Sequence, residues 1–119
     1  MKISRTLYIL FLGWICAVTI GSLLPATSFP LWVDLGGNRD KIAHFVAYFV
    51  TSLLFYLTFR TRFKKIDIYA TIFSFGYGAI LELAQVFVPG REPSLEDLMA
   101  NFSGVLFFFI LYRILLGKV

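Results

Sequence analysis

Residues 66–88 read IDIYATIFSFGYGAILELAQVFV, and Pro89-Gly90 follows them. The run is 23 residues long, within the roughly 17–25 helical residues that cross a hydrocarbon layer. It is not uniformly apolar, because Glu82 and Gln85 sit in its last third. Lipid offers no water to a carboxylate, so an ionisable group at that depth is expensive unless another helix supplies a partner. This one stretch predicts a transmembrane helix. It also predicts neighbouring helices with complementary polar groups.

Three further apolar runs surround it: Leu7–Leu24, Ile42–Phe59 and Leu98–Leu116. Pro25, Pro30 and Gly36-Gly37-Asn38 punctuate the first connection, Thr58 to Lys65 forms the second, and Pro93-Ser94 opens the last helix. Helices are predicted at about 7–24, 41–59, 66–88 and 95–116. The composition agrees: 59% hydrophobic and 15% charged, against about 45–50% and about 25% in soluble domains. A chain this small could not hide so much apolar surface from water. A membrane barrel needs alternating strands, which these runs lack. The expected fold is therefore an all-α four-helix transmembrane bundle, as a single domain over residues 1–119. The first run follows Lys2 and Arg5 as a signal peptide would, but it is long for one and is expected to remain as a span. The one cysteine, Cys16, lies in that run and has no partner for a disulfide or a metal cluster.

Orientation is read from Lys and Arg. Lys2, Arg5, Arg60, Arg62, Lys64, Lys65, Arg113 and Lys118, eight of the eleven basic residues, share one side of a four-span chain. Arg39, Lys41 and Arg91 occupy the other, with Asp34, Asp40, Glu82, Glu92, Glu96 and Asp97. Both termini are predicted to be cytoplasmic, in a multi-pass protein of a bacterial cytoplasmic membrane. The basic loop then lies against anionic lipid of the inner leaflet.

Three helices carry polar stripes near their outer ends. Lys41, His44 and Tyr48 share one narrow face of the second helix, with Asp40 just before them. Gly78, Glu82 and Gln85 do so on the third, and Asp97, Asn101 and Gly104 on the fourth. Glu82 and Asn101 both fall roughly 10 Å inside their helix ends, and His44 and Tyr48 about 6 and 12 Å inside theirs. The stripes are predicted to face one another in one layer, with Arg91 closing it from above.

Each residue also has a plainer reading. Asp40 could be an N-cap. Ser94 with Asp97 has capping-box spacing, and Glu96 suits a helix start. Lys41 could snorkel, Tyr48 could join an interfacial belt, Arg91 could be a loop charge, and His44 a structural hydrogen-bonder. Glu82, Gln85 and Asn101 resist such explanations best, since they lie beyond the first turn and are short. Ala43, Ala47, Ser74, Gly78 and Gly104 favour close helix approach. The phenylalanine runs read as packing or lipid contact. No phosphate loop, zinc-protease helix, nucleophile elbow or nucleic-acid signature is present. No cofactor, metal or nucleic-acid partner is expected, because no ligand-pair spacing supports a metal on His44, Glu82 and Asp97. Oligomeric state is not legible.

These same residues carry a family resemblance. Asp40-Lys41-Ile42-Ala43-His44-Phe45 with Tyr48 resembles the D-K-x-x-H-F-x-x-Y signature of the bacterial VanZ-like family. Glu82 and Gln85 resemble its E-x-x-Q element, and Arg91, Ser94, Asp97 and Asn101 its R-x-x-S-x-x-D-x-x-x-N. The similarity runs over roughly residues 6–116. It implies a small inner-membrane protein of a family named for an accessory protein of glycopeptide (teicoplanin) resistance, and it supplies no settled reaction.

Two functional readings stay open. In the first, an outer-leaflet pocket of Asp40, Lys41, His44, Tyr48, Glu82, Gln85, Arg91, Asp97 and Asn101 binds or modifies an envelope amphiphile or lipoglycopeptide, alongside ordinary membrane lipids. In the alternative, the chain is an intramembrane enzyme on a lipid-linked headgroup, with His44 and Glu82 as acid and base.

Overall fold

A computed structural model describes residues 4–30 and 37–117. Lys2, Asp34, Gly36 and Lys118, used above as charge or turn markers, lie outside the described residues. Four helices follow in order: α1 (Arg5–Leu23), α2 (Asn38–Phe59), α3 (Ile66–Ala84) and α4 (Leu95–Leu115). Short 3-10 turns follow α1 at Ala26–Ser28 and α3 at Gln85–Phe87. All four helices are long and apolar enough to cross a membrane, and no strand occurs among the described residues. The chain is a multi-pass membrane protein. Its bundle measures 45 × 28 × 23 Å, which suits a bilayer of about 40–45 Å including headgroups. The end bearing Leu24, Asn38 and Arg91 is called the upper end below. The end bearing Arg5, Arg62 and Arg113 is the lower end.

Two helix boundaries differ from expectation. Helix α2 starts at Asn38 behind Gly37, whose backbone is extended and whose cap has no side-chain bond. Asp40 is therefore not an N-cap but a first-turn residue. Hydropathy could not mark this start, because the polar first turn Asn38-Arg39-Asp40 needs no hydrocarbon around it. Helix α3 ends at Ala84 and tightens into the 3-10 turn, and Val88 is extended. Pro89 imposes this, since the residue before a proline is excluded from the α region. Gly90, at φ 77°, completes the turn.

The bundle is inside-out. Among the described residues, nine buried polar or charged side chains outnumber seven buried hydrophobic ones. Ile72, Ile80, Leu83 and Ile114 are each more than 60% exposed. Helix α2 packs most extensively on α4, α3 lies against both, and α1 lies against α2 and α3. The α2–α4 seam is set by Gly104. A Cβ there would collide with the Phe45 carbonyl oxygen and stand 3.0 Å from Phe49 N.

Helix α1 buries one side chain, Phe11, and is otherwise attached by polar bonds. Trp14 Nε1 donates to Thr51 Oγ1 at 2.9 Å, and Tyr77 Oη donates to the Ile15 carbonyl at 2.9 Å and pairs with Thr19. The lower half is aromatic: Phe11 meets Phe55, Phe59 and Phe73 at centroid distances of 5.9, 5.6 and 5.7 Å.

Candidate functional site

The upper cluster grows from the way α4 begins. Ser94 is its N-cap, and Ser94 Oγ accepts from Asp97 N at 3.0 Å. In a reciprocal capping box the third residue's side chain would accept from the cap's own N–H. Here Glu82 of α3 does this instead, its Oε1 accepting from Ser94 N at 2.7 Å. The substitution has a consequence. Asp97 is spared capping duty, and its carboxylate turns to α2.

There it meets the α2 stripe. Lys41 Nζ donates to Asp97 Oδ1 and lies 4.0 Å from Asp40 Oδ2. His44 Nδ1 donates to Asn101 Oδ1 at 2.6 Å, the direction that an amide oxygen requires. His44 Nε2 is then turned to the carboxylates, 3.6 Å from Asp40 Oδ2 and 3.9 Å from Asp97 Oδ2. Tyr48 lies one turn deeper and is buried, not part of an exposed aromatic belt. Its ring packs where α3 carries Gly78: a Cβ there would stand 2.9 Å from Tyr48 Cε1 and 3.4 Å from Asn101 Nδ2. The α2 and α4 stripes thus meet directly, and α3 contributes Glu82 at the roof and Gly78 at the floor.

Gln85 and Arg91 turn elsewhere. Gln85 Nε2 donates to the Ser22 carbonyl at 2.9 Å. Arg91 Nη1 donates to the carbonyls of Gly21 and Leu24, both at 3.2 Å, and its guanidinium stands 5.3 Å from the Phe29 ring centroid. These donors satisfy the carbonyls that the end of any helix leaves unpaired, and a cation suits the negative end of the helix dipole. Sequence reading missed this role of α1 because the acceptors are backbone atoms. Its only signal was two long donors, Gln85 near the end of the α3 apolar run and Arg91 just beyond it.

Two cavities open on the cluster. One, of about 490 Å³, lies at the upper surface and is lined by Lys41, Gln85, Arg91, Ser94 and Asp97 among others. The second, of about 310 Å³, runs along the flank between α1 and α2. Val18, Gly21, Ala43 and Ala47 wall it, and Asp40, His44 and Arg91 stand at its polar end. Glu82 and Asn101 line neither. Their listeners are His44 and the start of α4, so they hold the cluster together from behind.

As for metals, Asp40, His44 and Asp97 present one ligand atom each within 4.8 Å of one another. The Lys41 ammonium already stands as a cation between the two carboxylates. It would have to move before a metal ion could occupy that place.

A family model described as VanZ/LLP1 matches residues 6–116, a range that contains every residue of the cluster. No curated protein and no solved structure matches the chain.

Proposed function

This chain belongs to the VanZ/LLP1 family, and on that premise we propose that its upper cluster binds the polar head of a cell-envelope amphiphile. The observation that carries this reading is the pair of cavities that share Arg91 and border one polar cluster, Lys41 and Asp97 lining the first and Asp40 and His44 the second. The upper cavity is rimmed by charged and backbone groups, while the flank cavity is walled by small apolar residues. A molecule with a polar head and an apolar tail matches both at once, whereas a purely water-soluble ligand has no use for the flank. Lys41 offers donors, Asp40 and Asp97 offer acceptors, and His44 offers either at Nε2. The asymmetry of Lys and Arg supports an orientation with this end on the outer face of a bacterial cytoplasmic membrane and both termini inside. A teicoplanin-type lipoglycopeptide and a lipid-linked wall precursor are two such amphiphiles, and the first would connect the chain to glycopeptide resistance.

The enzymatic alternative, with His44 and Glu82 as acid and base, draws less support. Glu82 lines neither cavity and gives an oxygen to Ser94 N.

Binding is tested with the full chain in lipid nanodiscs, titrated separately with a teicoplanin-type lipoglycopeptide and a lipid-linked wall precursor. At least one should bind, and Asp40→Ala and His44→Ala should each weaken it by about tenfold, the loss of one charge-assisted hydrogen bond. Binding of neither, or equal binding by both variants and the parent, would overturn the proposal.

A further inference from the structure

The lower end holds a second feature that the upper cluster does not explain. A cleft of about 530 Å³ is lined by Arg5, Tyr8, Phe59, Arg62 and Phe63. Its aromatic wall is continuous: Tyr8 and Phe59 meet edge-on at 6.5 Å, and Phe59 and Phe63 at 6.3 Å. Tyr8 and Phe63 stay 43% and 37% exposed, so the wall is open to an occupant. The two cations at its rim come from different elements, the first turn of α1 and the turn between α2 and α3.

Neither cation is neutralised by a described residue. Among the described residues no carboxylate lies within ion-pair distance of Arg5 or Arg62, whereas Arg113 at the same end is committed to Asp67 at 2.7 Å. Arg5 also sits in the first turn of α1, which contains no acidic residue. That is the positive end of the helix dipole, where an anion is favoured and a cation is not. The α2–α3 turn is held in place, since Arg62 N donates to the Phe59 carbonyl at 2.8 Å and Phe63 N to the same oxygen at 3.3 Å. A site whose backbone is already ordered loses less on binding.

We propose that this cleft seats one anionic phospholipid, its phosphate between the Arg5 and Arg62 guanidiniums and its proximal chain on Tyr8, Phe59 and Phe63. Guanidinium forks match phosphate oxygens in geometry as well as charge. The aromatic wall selects a lipid over a free phosphate, and the uncompensated charge selects an anionic lipid over a zwitterionic one. This inference does not depend on the upper-cluster reading.

The full chain in detergent is titrated with phosphatidylglycerol or phosphatidylcholine, and retained lipid is counted by native mass spectrometry. Phosphatidylglycerol should be retained in preference. The Arg5→Gln/Arg62→Gln variant should lower its retention about tenfold, as expected for lost charge-assisted bonds. Lys64→Gln/Lys65→Gln removes the same charge nearby and should leave retention within about twofold, because exposed charges outside the seat act only through screened attraction. Tyr8→Ala, with helicity checked by circular dichroism, should weaken retention while both arginines remain. Equal losses in the two double variants would reduce the effect to diffuse attraction and overturn the site. So would equal retention of phosphatidylcholine, or full displacement by glycerol phosphate at matched concentration.

Discussion

The upper and lower halves of the bundle solve the same packing problem with different materials. Below, rings fill the space: Phe55 stacks on Phe73 at 5.0 Å, and Tyr56 meets Phe108 and Tyr112 at 6.0 and 5.2 Å. Above, the helices meet through Lys41–Asp97, His44–Asn101 and Glu82–Ser94, with cavities left beside them. Rings alone would close the upper half as well, and would do so without desolvating charge. Membrane hydrogen bonds average only about 0.6 kcal/mol, and buried ion pairs often stabilise less than apolar replacements of the same volume. The upper half is thus built at a larger cost to stability than the lower half, which buries one such pair, Asp67–Arg113, and the difference is what the proposed binding role accounts for.

The contrast can be broken most forcefully at the α2–α4 seam, which both halves share. Gly104→Leu drives side-chain atoms into the Phe45 backbone, which cannot step aside as a flexible side chain could. Overpacking of this kind should cost about 3 kcal/mol or more in mixed-micelle unfolding and should abolish amphiphile binding. A stable variant that still binds would mean that α2 and α4 are not closely apposed.

A second substitution sharpens the comparison. Asp97→Ala leaves Lys41 facing a pocket without its partner and should cost about 2–3 kcal/mol in the same assay. The estimate sits at the low end because the Lys41 side chain is 25% exposed. The paired change Lys41→Met/Asp97→Leu should recover most of that stability and none of the binding. Recovery of both would make the pair structural.

The smallest effect belongs to the lower end. The Arg113 side chain is 42% exposed but that of Asp67 only 8%, so solvent screens one partner alone. Arg113→Gln, which keeps a hydrogen-bond donor for the buried carboxylate, should cost about 1–2 kcal/mol. It should leave amphiphile binding unchanged. A larger loss than for Asp97→Ala would reverse the ranking of the two halves.

Much of this was legible in the residues. Long runs of high hydropathy located four helices, and the spacing of Lys41, His44 and Tyr48 against Asp97, Asn101 and Gly104 located the seam, because helical period fixes which side chains share a face. Gly78 and Gly104 marked close approach for the same reason. The start of α2 was not legible, since Gly37 caps it with backbone conformation alone. Gln85 was read as part of the polar stripe because its period matched α3. Pro89 tightens the chain there into a 3-10 turn, and the side chain reaches α1 instead. The attachment of α1 through the carbonyls of Gly21, Ser22 and Leu24 has no side-chain signature. The Asp67–Arg113 pair joins residues far apart in sequence and could be found only once α3 and α4 were seen side by side.

The central claim is tested most directly by photo-crosslinking in native membranes. A small diazirine side chain is placed at Ala43, which lines the flank cavity, or at Ile42, which is 63% exposed and lies about 100° around the helix. The account predicts that Ala43 captures a distinct polar-headed amphiphile, depleted when Asp97→Ala is added, while Ile42 captures bulk phospholipid alone. The same bulk phospholipid at both positions, unaffected by Asp97→Ala, would contradict it.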